Sequence, residues 1–270
     1  MDITSRDNRF IKEYRKLATD AKHRRKSCQF VLEGARLCGD ATLSGVDIAV
    51  ALFTSRAAKQ YPESVSAVRA AATAAFEIED SLADYLADTQ TPQGIFCICN
   101  LPKRQELSFM ELSLQGRYAA LECVQDPSNL GTILRAAEAF GLDGLILSDG
   151  CCDPYSPKVL RGSMGGVFRL PLYFTDSLPE SLETLNNQGF TTAACVVDRN
   201  AVSIQKMRFG AGSICVIGNE GNGLSQKTQN ACSVSITIPM AGRAESLNAS
   251  VAAGIVFWEM MREDGTNHYG

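Results

Sequence analysis

The sequence predicts an α/β protein whose larger, C-terminal part is a mostly parallel sheet covered by helices on both faces. Three observations carry this. Short apolar runs alternate with amphipathic stretches along the chain, and the alternation becomes regular after Arg117. Polar clusters follow three of the later runs, which is where the carboxyl ends of parallel strands gather ligands. At 270 residues the chain is long enough for two domains.

In chain order, Phe10, Ile11, Tyr14, Leu17 and Ala18 recur at helical spacing and predict one amphipathic helix over 7–21. Phe30-Val31-Leu32 reads as a short buried strand, and the apolar runs at 48–53 and 95–99 as two more. Helical patterns around 35–43, 63–73 and 80–87 lie between or beside them, which makes residues 1–105 a small α/β domain. The polar, proline-containing stretch from Asn100 to Glu106 marks the boundary, with a linker over 106–116. In the second domain, 117–270, strands are predicted at 119–124, 144–147, 192–197, 214–218 and 234–238. Helices are predicted at 129–140, 178–187, 224–231 and 246–261.

An apolar fraction of 45% with 21% charged residues supplies a sizeable core. No run of about eighteen uncharged apolar residues exists, so no membrane span is expected. The opening MDITSRDNRF lacks the apolar core of a secretory signal, and ten cysteines without a zinc-type spacing suit a reducing, cytoplasmic setting. No metal is expected. The net charge of −4 does not suggest nucleic acid, yet nine basic residues fall between Arg6 and Lys26 against three acids. Within that cluster Arg24, Arg25 and Lys26 are candidate phosphate contacts, the alternative being a solvated helix face.

Three clusters carry the candidate chemistry. Asp126-Pro127-Ser128-Asn129-Leu130-Gly131 follows a strand and opens a helix, with Asn129 where an N-cap belongs and Arg135 almost two turns later. Ile217-Gly218-Asn219-Glu220-Gly221-Asn222-Gly223 again follows an apolar strand, and its glycines permit close backbone approach to a ligand or a plain turn. Ile238-Pro239-Met240-Ala241-Gly242-Arg243-Ala244-Glu245-Ser246-Leu247-Asn248 precedes the last helix. Ser246 is its expected N-cap, and Leu247, Val251, Ile255 and Trp258 form the expected buried side. A serine hydrolase would need a histidine, but His23 and His268 lie near the chain ends. The second cluster is not G-x-G-x-x-G, so a dinucleotide fingerprint is absent.

In this order the clusters DPSNLGTILRAAEAFG (126–141), IGNEGNGLS (217–225) and IPMAGRAESLNASVAAG (238–254) resemble the three signature motifs of the SpoU (TrmH-like) branch of the SPOUT RNA methyltransferases. Lys158-Val159-Leu160-Arg161-Gly162-Ser163-Met164-Gly165 resembles a further family segment. Residues 4–105 look like the family's N-terminal substrate-binding domain of ribosomal-protein type, through the basic helix, FVLEGARL (30–37) and TPQGIFCI (91–98).

The resemblance implies a C-terminal domain with a deep trefoil knot, a homodimer, and S-adenosylmethionine as the cofactor. It implies methyl transfer to a ribose 2′-hydroxyl of RNA, most simply ribosomal RNA. A transfer-RNA enzyme and a non-catalytic RNA-binding relative are the alternatives. Carried over by motif, the catalytic positions are Asn129, Arg135, Glu220, Ser246 and Asn248, and the cofactor contacts are Cys195, Gly218, Ile238 and Leu247. Lys158 and Arg161 join Arg24, Arg25 and Lys26 as RNA contacts. Because guanidinium is effectively always protonated, Arg135 suits gripping a phosphate and stabilising a developing alkoxide at least as well as acting as a base.

Overall fold

The structure, a computed structural model, describes residues 2–108 and 111–262. His268, the rest of the predicted C-terminal stretch 263–270, and Phe109 and Met110 lie outside the described residues. The chain forms two compact units. One runs to Lys103 and includes Asp153–Phe168; the other comprises Arg104–Cys152 and the chain from Arg169 on. The sequence-based division at 105 and 117 differs from this partition in two places: the described residues of 106–116 belong to the second unit, and 153–168 to the first.

The first unit contains β1 (Asp2–Ile3), α1 (Arg9–Thr19), α2 (Ala21–Ser27), β2 (Gln29–Glu33), α3 (Ala35–Leu43) and β3 (Ile48–Thr54). It continues through α4 (Ser55–Gln60), α5 (Pro62–Ala71), β4 (Ala74–Ile78), α6 (Asp80–Leu86) and β5 (Ile95–Asn100). Its sheet has the order β1-β4-β3-β5-β2, with β5 antiparallel to both neighbours. Ile11, Tyr14 and Leu17, the predicted apolar stripe of α1, bury against Val31, Phe96 and Ile98. Tyr14 meets Phe96 edge-on at 5.4 Å and donates its hydroxyl to the Leu32 carbonyl at 3.2 Å.

The helix expected over 7–21 is corrected to two. Asp20 takes an extended backbone, ends α1, and accepts the N–H groups of Lys22 (2.8 Å) and His23 (3.1 Å) as the cap of α2. The helix expected over 63–73 is α5, and α4, just ahead of it, was not expected. Thr54 Oγ1 caps α4 by accepting from Ala57 N–H at 3.0 Å, and Pro62 opens α5.

The second unit contains β6 (Tyr118–Leu121), α7 (Pro127–Ala139) and β7 (Gly144–Ser148). The chain then contributes α8 (Pro157–Ser163) and a 3₁₀ turn at Gly166–Phe168 to the first unit. There Phe30 packs against Tyr155 and Phe168, with ring centroids 5.1 and 6.3 Å away. Burial, and behind it the Asp153 charge, push the Tyr155 phenol up to about 12. The second unit resumes with β8 (Leu172–Thr175), α9 (Leu178–Asn187), β9 (Thr191–Cys195), β10 (Val202–Ser203) and β11 (Ser213–Ile217). It closes with α10 (Gln226–Ala231), β12 (Val234–Thr237) and α11 (Ala249–Arg262).

These seven strands pair in parallel throughout, in the order β10-β12-β9-β11-β6-β7-β8. One face is filled by residues such as Tyr118, Ile146, Leu182, Leu185 and Val216. The expected linker is tied to the edge strand, where Leu107 N–H donates to the Phe174 carbonyl at 2.7 Å, and Leu112 is buried.

The last helix buries a different face from the one expected. Ala253, Val256, Phe257 and Met260 are inside, while Val251 and Trp258 are each 50% exposed. Starting the helix three residues later, at Ala249, accompanies this change of face. All ten cysteines are free thiols, and four are buried. No helix among the described residues is long and apolar enough to cross a membrane.

Candidate active site

Between β11 and α10 the chain doubles back in a loop that only glycine permits at its first position. A Cβ on Gly218 would lie 2.3 Å from the Gly223 carbonyl carbon and 2.5 Å from the Leu224 nitrogen. Asn219 and Gly223 exchange both backbone hydrogen bonds, at 3.0 and 2.9 Å. The Asn219 side chain accepts the N–H groups of Gly221 and Asn222 and donates to the Cys123 carbonyl at 2.8 Å, tying this loop to the one after β6. Asn219 was not among the expected site residues. Its signal was an Asn in a glycine-rich turn, the residue that hydrogen-bonds its own backbone two positions on.

This loop and the ends of β9 and β12 enclose a cleft of ≈ 610 Å³, with Cys195, Gly218, Ile238 and Leu247 in its lining. All four expected cofactor positions thus share one cavity at the carboxyl edge of the sheet. Much of its wall comes from loop residues, among them 218–223 and 245–247.

Beside it a second cleft of ≈ 540 Å³ is lined by Gln125, Asp126, Asn129, Glu220, Ser246 and Asn248, and shares Glu220, Ser246, Leu247 and Ala249 with the first. Here the cap assignments are corrected. Asp126, not Asn129, caps α7, accepting from Ser128 N–H (2.6 Å) and Asn129 N–H (3.3 Å). Asn129 is therefore a first-turn residue, 8% exposed and turned inward. Its Nδ2 donates to Glu220 Oε1 at 3.1 Å and its Oδ1 accepts from Asn248 Nδ2 at 2.9 Å. Asn248, not Ser246, caps α11, its Oδ1 accepting from Ser250 N–H at 2.9 Å and Val251 N–H at 3.3 Å.

Glu220 also accepts the N–H groups of Gln125 (3.2 Å) and Asp126 (3.0 Å), just before α7. Burial pushes its carboxyl up, but the hydrogen bonds from Asn129 and from the backbone outweigh it, so the pKa is held below the usual glutamate value. Glu220 is a fixed anion and acceptor, unsuited to taking up a proton near neutrality.

The remaining expected residues are placed as follows. Ser246 is exposed and lines both clefts. Arg135 is exposed on α7, lines neither cleft, and has no hydrogen bond or ion pair with the described residues. Arg25, Lys26 and Lys158 are exposed in the first unit, and Arg161 pairs with Asp88 at 2.6 Å. The expectation for Arg24 is corrected. It is 5% exposed, bonded to the Asp153 carboxylate at 2.8 Å and to the Leu17 carbonyl at 2.7 Å, so its guanidinium is held inside the protein. Among the described residues no cluster of His, Cys, Asp and Glu is placed to hold a metal ion.

The SpoU rRNA Methylase family profile matches residues 116–258, which span the whole of this double cleft. The chain belongs to the SpoU methylase family. An MRM3-like substrate binding domain matches residues 8–97. Over 263 residues the chain is 32% identical to an uncharacterized tRNA/rRNA methyltransferase of Synechocystis, covering 97% of this chain and 93% of that one. It is 28% identical to the 23S rRNA (guanosine(2553)-2′-O)-methyltransferase RlmP of Bacillus subtilis, covering 96% and 98%. The AdoMet-bound rRNA methyltransferase of Sinorhizobium meliloti superposes with a TM-score of 0.86 at 27% identity, over 98% and 99% of the two chains. For this SpoU methylase, the site therefore lies on a fold shared along nearly its entire length.

Proposed function

We propose that this SpoU methylase transfers a methyl group from S-adenosylmethionine to a ribose 2′-hydroxyl of large-subunit ribosomal RNA, in the cytoplasm and as a homodimer. The observation that carries the reading is the pair of adjoining clefts. One has the four expected cofactor positions in a wall built largely from loops; the other is walled by the Asn248–Asn129–Glu220 chain. The relatives' names support it, RlmP as a 23S rRNA 2′-O-methyltransferase and the S. meliloti enzyme as an AdoMet complex.

The cofactor would be held by Cys195, Gly218, Ile238 and Leu247, and would supply an activated methyl group on sulfonium. The protein's own task is then alignment and the handling of one hydroxyl proton. Glu220 pins Asn129, and Asn248 fixes the other end of the same amide, so a polar wall of set orientation faces the second cleft. Arg135 stands apart from that wall within its own chain. In this reading it serves the cleft of a second copy, gripping the phosphate beside the target ribose and stabilising the developing alkoxide. The exposed Val251 and Trp258 on α11, the helix packed against α7, give such a pairing an apolar surface. The trefoil knot of the family's catalytic domain is part of the same proposal, as are RNA contacts at Arg25, Lys26, Lys158 and Arg161.

The test is incubation of purified protein with methyl-labelled S-adenosylmethionine and, separately, 23S ribosomal RNA and bulk transfer RNA, followed by mapping of 2′-O-methyl sites. Label at a discrete 2′-O position of 23S RNA supports the reading. Label confined to transfer RNA would transfer it to the tRNA branch, and label on a base would overturn the 2′-O assignment.

A further inference from the structure

The first cleft is lined by three carboxylates and, among the described residues, by no Lys, Arg or His. They come from three loops: Asp198 after β9, Glu220 after β11 and Glu245 before α11. Glu220 is committed to Asn129 and to the N–H groups ahead of α7. The other two are not. Asp198 accepts the Asn200 N–H of its own turn at 2.8 Å, and Glu245 has no hydrogen bond or ion pair with the described residues. Both are exposed, and their chain neighbours Arg199 and Ala244 do not line the cleft.

Two carboxylates without an ion pair among the described residues, on separate loops that line one concavity, give it a negative potential. S-adenosylmethionine has a sulfonium charge beyond its self-balancing amino-acid end. When the methyl carbon bonds to the ribose oxygen, the carbon–sulfur electron pair stays on sulfur and the hydroxyl proton departs. The spent thioether, S-adenosylhomocysteine, has lost that positive charge.

We propose that Asp198 and Glu245 make this cleft a charge filter, which grips the sulfonium donor and loosens its hold once the methyl has left. The inference rests on the cofactor reading above. It assigns to two side chains a discrimination that a purely backbone-built pocket would lack.

The test is calorimetric binding of three probes: S-adenosylmethionine, S-adenosylhomocysteine, and sinefungin, which keeps a protonated amine where the sulfonium stands. The two cations are expected to bind about tenfold more tightly than the thioether at low salt. The gap should narrow between about 50 and 500 mM salt. Asp198→Asn combined with Glu245→Gln should close it to within about threefold, mainly by weakening the cations. Equal affinity for the thioether and the sulfonium in the unaltered protein overturns the filter, as does a gap insensitive to salt or one that persists in the folded double variant. Binding of none of the three overturns the cofactor reading itself, a distinguishable result.

Discussion

Asn248 Nδ2 donates to Asn129 Oδ1 across 2.9 Å, joining the cap of α11 to the first turn of α7, 119 residues apart in the chain. The bond settles the orientation of the Asn129 amide, because its oxygen faces Asn248 and its nitrogen is left to face Glu220. An aspartate at 129 would keep the shape but set a second anion against the Glu220 carboxylate. Asn129→Asp is therefore expected to raise the Glu220 pKa and to lower methyl transfer by about a hundredfold, with S-adenosylmethionine affinity changed far less. Single-turnover rates and calorimetry on the same variant separate the two effects.

The depressed Glu220 pKa has a stability signature of known sign. A carboxyl with a folded pKa below its unfolded value stabilises the native state above the ordinary glutamate range, and that contribution is lost as pH falls through the folded pKa. The melting temperature of Glu220→Gln is expected to lie below that of the unaltered protein at neutral pH. The difference should shrink as the pH falls below the usual glutamate pKa. A constant difference across the series would remove the ionised carboxylate from the account.

Arg24 and its two neighbours should separate cleanly. Removing Arg24 leaves Asp153 without its buried partner, which is expected to destabilise the protein by about 2–4 kcal/mol. Arg25→Ala with Lys26→Ala should stay within about 0.5 kcal/mol of the original. The same pair of changes should lower RNA affinity and flatten its salt dependence by up to about two charges. Denaturant melts and salt-titrated RNA binding read both halves.

Gly218→Ala drives a methyl into the backbone of Gly223 and Leu224. The loop must open, at about 3 kcal/mol, and if the strain falls on the cleft alone, cofactor affinity drops by more than about a hundredfold. Circular dichroism should show an intact fold while calorimetry shows lost binding.

Arg135→Lys keeps the charge and loses the planar fork. If Arg135 works by gripping phosphate and oxygen together, turnover should fall by about a hundredfold at every pH, with cofactor affinity unchanged. Near-normal rates recovered at alkaline pH would instead favour a proton acceptor, since lysine yields its proton more readily.

The parallel sheet was legible because buried strands such as Ile214–Ile217 are continuous apolar runs and their helices have a different period. β1 and β10, two residues each, leave no periodic trace, and the alanines of β4 suit several structures. The site was legible as motifs, since Gly218, Ile238 and Leu247 meet in one cavity. The local roles were not. Asp126, Asn129, Ser246 and Asn248 are all plausible caps by residue type, and only the backbone path decides which oxygen meets which N–H. Arg24 was indistinguishable from Arg25 because its carboxylate partner, Asp153, lies 129 residues away.

That same ion pair bears on how the chain can be divided. Residues 153–168 pack with the first unit, yet they are flanked on both sides by stretches of the second. No single cleavage point separates the two intact. A fragment ending near residue 105 would lack α8, strip Phe30 of Tyr155 and Phe168, and leave the Arg24 guanidinium without its counter-charge. Folded alone, such a fragment should expose apolar surface and self-associate, whereas one with 153–168 rejoined through a short linker should remain monomeric.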